Sequence, residues 1–189
     1  MLEIQVHPAT AERWPDLERL FGPKGACGGC WCMWWRQRGK EYAQLRGEQN
    51  RALLQQIVQS GQEPGLLAYA NGQPVGWCAL APRSAYIRLE HTRIFRPVDE
   101  QPVWSVVCFF VAKAYRWQGV TRRLLVEALA YAREHGAMIL EAYPVEPRSG
   151  SSPDVYAYPG LASTFRSLGF LEVARRSETR PVMRYLFAV

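Results

Sequence analysis

The sequence predicts a single α/β domain with a mixed, mostly antiparallel sheet flanked by helices. Three observations predict it. A hairpin lies at Leu66–Ala70 and Pro74–Leu80, joined over Asn71-Gly72, the dipeptide that accepts positive φ at both turn positions. A nearly continuous apolar run at 103–111, Val-Trp-Ser-Val-Val-Cys-Phe-Phe-Val, reads as a central strand covered on both faces. After it come a helix over about 119–135 and a strand over 138–143. Such a strand–helix–strand unit crosses over to a parallel neighbour.

The remaining elements follow in order. Residues 2–7 alternate like a strand, and Thr10 is expected to cap a short helix with Trp14, Leu17, Leu20 and Phe21 on its apolar face. Residues 22–40, rich in glycine, cysteine and tryptophan, carry no clear period. One helix is expected over about 41–60, with Tyr42, Leu45, Leu53 and Ile57 on one side and Gly61 at its end. Residues 83–102 are polar and arginine-rich and are interrupted by Pro97 and Pro102, so they read as a long loop with one strand near 85–90. The helix over 119–135 buries Val120, Leu124, Leu125, Ala128, Leu129 and Ala132 at a 3.6-residue period. Residues 144–160 hold four prolines and Ser149-Gly150-Ser151-Ser152, the composition of a mobile loop. A short helix at about 160–168 and strands at 170–175 and 183–187 complete the chain. No repeat or linker divides it, so residues 1–189 are read as one domain.

Composition narrows the function classes. Hydrophobic residues at 48% and charged residues at 21% are ordinary for a globular protein. No apolar run approaches a membrane span, and the first residues lack a basic region followed by an apolar one, so a cytoplasmic protein is expected. The charge of +6, from 23 Lys+Arg against 17 Asp+Glu, favours anionic ligands. Five cysteines, an odd number, argue against a full disulfide framework. Cys78 and Cys108 sit in apolar runs, where a thiol is usually a small buried hydrophobe.

The stretch from Cys108 to Leu125 carries the strongest functional signal. An apolar strand runs into a basic turn, Arg116-Trp117-Gln118-Gly119-Val120-Thr121-Arg122-Arg123, and the turn runs straight into an amphipathic helix. That order puts free main-chain N–H groups and arginines at a helix start, where phosphate binds. Arg116 to Thr121 resembles the Q/R-x-x-G-x-G/A cofactor motif of the GCN5-related N-acetyltransferase (GNAT) superfamily. Asn71-Gly72-Gln73-Pro74-Val75-Gly76 is similar to its hairpin lead-in, and Phe165-Arg166-Ser167-Leu168-Gly169-Phe170 to its late Y-x-k-x-G-F segment. Cys30-Trp31-Cys32-Met33 and Arg180-Pro181-Val182-Met183-Arg184 resemble a bacterial subgroup. Two positions depart from the pattern. Thr121 stands where Gly or Ala is usual, though its N–H remains available. Phe165 stands where many members carry the tyrosine that protonates the departing thiolate.

The resemblance implies a sheet split near its centre around the cofactor, with acetyl-CoA as co-substrate. It places the diphosphate on the N–H groups of Gln118, Gly119, Val120, Thr121 and Arg122, beside Arg116, Trp117 and Arg123, and the pantetheine arm along Phe109, Phe110 and Val111. Phe110 or Val111 would donate to the thioester oxygen. The strand that often carries a glutamate has Trp104 and Ser105 instead, so Glu141 is the substitute base, read otherwise as a salt-bridged glutamate, with His91 as the next option. Tyr143, Tyr156 and Tyr158 are candidate acids, Tyr158 preferred because it leads into the late helix, with simple packing as the alternative. In the acceptor region, Trp31, Trp34 and Trp35, with Met33 and Arg36, either line an aromatic pocket for an apolar or cationic acceptor or patch the core. Cys27, Cys30 and Cys32 supply three thiolates where zinc wants four ligands, so no metal is expected, and a redox-sensitive thiol pair stays open.

The function expected is transfer of acetyl from acetyl-CoA to an amine by direct attack within a ternary complex. The acceptor would be a small molecule or a protein N-terminus or lysine. The alternative is a catalytically weak acyl-CoA-binding regulatory or interaction module. Without a helix-turn-helix or stacked aromatic RNA motif, nucleic acid is not expected as a partner, and neither is a membrane. An exposed late strand leaves room for a homodimer.

Overall fold

The computed structural model describes residues 2–147 and 158–188. Seven strands form one sheet in the order β1-β2-β3-β4-β5-β7-β6. They are β1 (Gln5–Pro8), β2 (Gly65–Ala70), β3 (Gln73–Pro82), β4 (Trp104–Val111), β5 (Ile139–Ala142), β6 (Leu171–Arg175) and β7 (Pro181–Leu186). Every pairing is antiparallel except β4 with β5. The expected mixed, mostly antiparallel α/β sheet is therefore what forms, with the parallel pair at its centre.

The helices are α1 (Trp14–Phe21), α2 (Gly39–Leu45), α3 (Glu48–Gln59), α4 (Ile87–Glu90), α5 (Val120–Glu134) and α6 (Ala162–Arg166). Each face of the sheet carries its own core. One holds α1, Trp31, Trp35, Leu54, Val58, Tyr86, Leu89 and Phe95. The other holds the apolar stripe of α5, at Val120, Leu124, Leu125, Ala128 and Ala132, together with Ala162 and Phe165. The hairpin turn is as expected, with φ of 50° at Asn71 and 71° at Gly72.

Gly76 on β3 sets how closely α5 approaches the sheet. A Cβ there would lie 2.7 Å from Val120 Cγ1 and 3.1 Å from Leu124 Cδ1. The missing side chain lets the first turn of α5 sit directly on the strand.

Three elements differ from the sequence reading. The helix expected over 41–60 is two helices, broken at Gly47, whose φ of 83° no helix accommodates. Residues 87–90 form α4 instead of a strand, because the Arg88 side chain is pulled onto the carbonyls of Trp34 and Gln37. Thr10 precedes a short 3₁₀ turn at Ala11–Arg13 and makes no side-chain cap; its hydroxyl accepts from Arg13 instead.

Candidate active site

β4 and β5 stay together for three residue pairs only, Trp104 with Leu140, Ser105 with Glu141 and Val106 with Ala142. Beyond Val106 the strands part, and β4 runs on to Val111 with β3 alone beside it. Val107 is bulged out of the β3–β4 ladder, since Ala79 pairs with Cys108 and Leu80 with Val106. After the bulge the strand alternates regularly. Phe109 N–H points into the split, where it donates to the Tyr158 carbonyl at 2.6 Å. Ala112 N–H donates to Val75 on the β3 side. By the two-residue period, Phe110 also faces β3, and Val111 faces the split with Phe109. This corrects two expectations. Phe110 is turned away from any ligand in the split, and the Phe109 amide already has a partner. The split edge thus offers the Val111 N–H and the Phe109 carbonyl. The Val111 carbonyl accepts from Arg116 Nε at 3.2 Å.

The turn after β4 is shaped by two left-handed residues, Trp117 at φ 65° and Gly119 at φ 82°. A Cβ at Gly119 would meet nothing within 4 Å, so the surface in front of that residue is open. The first main-chain bond of α5 runs from Arg123 N–H to Gly119 O. The amides of Val120, Thr121 and Arg122 precede that bond and, as at any helix start, have no carbonyl one turn back. The side chains of Trp117, Gln118, Arg122 and Arg123 are exposed around them, Arg123 tied to Glu127 at 2.5 Å. Amides at the positive end of a 15-residue helix, with arginines beside them and open space in front of Gly119, suit a diphosphate. Among the residues expected to hold the cofactor, Val111 ends the split edge of β4, and residues 116–122 form the turn and helix start that follow it.

Glu141 is 1% exposed and fully engaged. Its Oε1 accepts from Arg83 Nη1 at 2.9 Å and from the Tyr143 hydroxyl at 2.6 Å, and its Oε2 accepts from Arg184 Nε at 2.7 Å. Arg184 reaches on to Asp99 with two bonds of 2.6 and 3.1 Å, and Arg83 to Glu90 and to the Phe95 carbonyl. Ser105 shares a bond of 3.0 Å with the Tyr143 hydroxyl. Two buried arginines thus clamp the carboxylate, and its lone pairs are committed. This corrects the expectation that Glu141 is a free base, and its salt-bridged reading is the one that fits. Burial, then the neighbouring Glu141 charge, holds the Tyr143 phenol well above its ordinary pKa, so Tyr143 is a fixed donor.

Tyr158 stands at the split itself, half-buried with its carbonyl on Phe109. Burial raises its phenol pKa, while the Arg180 and Arg88 charges pull the other way. Arg180 also donates to the Tyr143 carbonyl at 3.0 Å and stacks 4.8 Å from the centre of the Phe95 ring. Tyr156 lies outside the described residues.

The tryptophan-rich segment divides. Trp31 and Trp35 are 4% and 5% exposed and belong to the core: Trp31 packs on Trp14 and Phe21, Trp35 on Phe95. This corrects the expectation that they line an acceptor pocket. Trp34 is exposed, but the Arg88 guanidinium covers its ring at 3.8 Å, so that face is closed to a cationic acceptor. Cys32 is buried, accepts from Trp77 Nε1 at 3.2 Å and shares a hydrogen bond with Cys108. That bond, opposed by burial, favours the thiolate on Cys32, and the same bond with burial keeps Cys108 a thiol. Burial pushes Cys30 up to about 11. Among the described residues, no three Cys, His, Asp or Glu side chains come together as metal ligands.

The sequence reading missed the arginines. Arg83, Arg88 and Arg180 organise the site, and the only hint was the arginine-rich composition of 83–96 and the Arg180-Pro-Val-Met-Arg segment. A cleft of about 280 Å³ opens over Arg88, lined also by Arg38, Gly39, His91 and Thr92.

Residues 31–151 match the model of the acetyltransferase (GNAT) family. No curated protein matches the chain in sequence. Similar solved structures include the PaiA N-acetyltransferase of Thermoplasma acidophilum in complex with coenzyme A, at 14% identity and a TM-score of 0.56, covering 98% of this chain and 100% of that one. A GNAT-family acetyltransferase from Listeria monocytogenes aligns at 10% identity and a TM-score of 0.60 over 98% and 96%. YncA from Salmonella typhimurium, a putative acetyltransferase solved with its cofactor acetyl-CoA, aligns at 15% and 0.54 over 97% and 93%.

Proposed function

Because this chain belongs to the GNAT acetyltransferase family, we propose that it transfers acetyl from acetyl-CoA directly to an amine, with the co-substrate laid along the split edge of β4. The observation that carries this reading is a contiguous path. The Val111 N–H and Phe109 carbonyl line the split, and the open amides of Gly119 to Arg122 begin eight residues further on. The amides take the diphosphate, and Arg116 and Arg122 add charge. Val111 N–H is the donor for the acyl end of the molecule.

Tyr158 is the acid. The acceptor nitrogen attacks the thioester carbon, the carbon–sulfur bond breaks, and the sulfur leaves with the Tyr158 proton. A phenol whose pKa is raised by burial keeps that proton until it is needed. The amine's own proton goes to His91, the imidazole lining the cleft, because Glu141 is committed to its arginines. Direct attack agrees with Cys108 being held as a thiol, a poor nucleophile, beside the split.

The test is thiol release from acetyl-CoA across a panel of amines. Turnover by the wild type, lost in Gly119→Asp and lowered about 10²-fold in kcat by Tyr158→Phe, is the expected result. Coenzyme A binding without thiol release from any amine would overturn the transferase reading and leave the weakly catalytic acyl-CoA-binding module. No helix among the described residues is long and apolar enough to cross a membrane.

A further inference from the structure

Among the described residues, nine buried side-chain polar atoms have no hydrogen-bond partner, and seven of them belong to Trp35, Arg36, Gln37, Tyr86, Arg88 and Arg180. They therefore cluster. Arg88 N–H donates to the Trp35 carbonyl at 3.1 Å, and Arg88 Nε to the carbonyls of Trp34 and Gln37. The Arg36 guanidinium lies 4.8 Å from the Tyr86 ring centre. Trp35 and Arg180 both pack on the Phe95 ring. One continuous patch results, next to Tyr158 and the split.

Donors dominate the unpartnered atoms: beside the Gln37 amide and the Tyr86 hydroxyl, four atoms are donors alone. Trp35 Nε1, Arg36 Nη2, Arg88 Nη2 and Arg180 Nε can only donate, and three of these four are on guanidinium groups. No ion pair to Arg36, Arg88 or Arg180 occurs among the described residues, whereas Arg83 and Arg184 each have two. A buried cationic donor without an acceptor is costly, and native proteins rarely leave one unmatched. Burial lowers the pKa of both Arg88 and Arg180, the direction expected of cations lacking a counter-charge. The ligand that completes such a set presents anionic oxygens, which guanidinium groups bind in a planar fork. The cradle at Gly119–Arg122 follows the last residue of β4, whereas Arg88 follows β3, which runs the opposite way; Arg88 is therefore separate from the diphosphate site.

We propose that the acceptor is an amine that itself carries an anionic oxygen group, of the amino-acid type, gripped by Arg88 and Arg180 beside Tyr158. The inference rests on the acetyl-transfer reading and names its substrate class. It replaces the expected apolar or cationic acceptor, because three arginines without an ion pair repel a cation and Arg88 already covers Trp34.

The test compares matched acceptors in the thiol-release assay with the full chain. Each amino acid is run beside its carboxamide and its decarboxylated amine, and O-phosphoethanolamine beside β-alanine and ethanolamine. The expected result is a kcat/KM at least about tenfold higher for the anionic member of a set, the size of one charged hydrogen bond. The phosphoethanolamine and β-alanine arms show whether phosphate or carboxylate is preferred. Arg180→Gln should raise KM for the anionic acceptor about tenfold or more, leave KM for acetyl-CoA unchanged and narrow the gap to the neutral partner. Arg88→Lys, which keeps the charge, should retain more of the preference than Arg88→Gln. Equal or better turnover of the neutral amines overturns the inference while the transferase reading stands. No turnover with any acceptor overturns it too, and coenzyme A calorimetry then decides separately whether the cofactor site survives.

Discussion

The main-chain N–H of Phe109 donates to the carbonyl of Tyr158 across 2.6 Å, and this bond spans the split between β4 and the returning chain. One rung of β4 is thereby closed, and the next rung on that side, at Val111, is left for a ligand. Amide hydrogen exchange should show the Phe109 N–H protected in the free protein. The Val111 N–H should gain protection only when coenzyme A is added. Protection of Val111 unchanged by saturating coenzyme A would remove the pantetheine arm from this edge.

Glu141 is the fully buried carboxylate between two buried arginines, and neutralising it leaves Arg83 and Arg184 with only their more exposed partners, Glu90 and Asp99. Glu141→Gln should destabilise the protein by about 3–5 kcal/mol, the cost of breaking a buried ion pair from one side. Urea unfolding measures this. Tyr143→Phe, which removes one hydroxyl shared with Glu141 and Ser105, should cost about 1–3 kcal/mol. A Glu141→Gln variant as stable as the wild type but without activity would restore Glu141 as the base.

Gly76 couples the sheet to the cradle. Gly76→Ala places a methyl group 2.7 Å from Val120, the first residue of α5. Relief requires the helix start to shift, at a cost of about 1–3 kcal/mol. Because the cradle amides belong to that turn, the coenzyme A dissociation constant should rise as well. An affinity equal to the wild type's would separate the cradle from the β3 contact.

Acid sensitivity should be traceable to Glu146, which follows β5 and binds both Arg166 of α6 and Arg175 of β6. These arginines lower its carboxyl pKa from 4.5 to about 2. A carboxylate with a folded pKa below its unfolded one adds stability that is fully present above about pH 4.5 and disappears as the pH falls toward 2. Glu146→Gln should therefore lower Tm at neutral pH and flatten its decline through that window. An unchanged slope would assign the acid dependence to other carboxylates.

What could be read from the sequence was local. Asn71-Gly72 dictates its turn through two φ angles, and the strand–turn–helix at 104–134 declares itself by apolar runs and by the glycine at its corner. What could not be read was settled by distant partners. The role of Glu141 depends on Arg83, 58 residues earlier, and Arg184, 43 residues later. Trp31 and Trp35 became core because Trp14, Phe21 and Phe95 converge on them. Residues 87–90 follow the Arg88 tether to the loop at 34–37, which no local propensity encodes.

Titration calorimetry with coenzyme A, on the wild type and on Gly119→Asp, tests the central claim most directly. Gly119 fronts the open amides, and an aspartate there puts a negative charge where the diphosphate should lie. Saturable binding by the wild type, abolished or weakened at least about a hundredfold by the substitution, is the predicted result; two charged hydrogen bonds are worth that much. No binding by the wild type at millimolar coenzyme A and low salt, or equal binding by the variant, would contradict it.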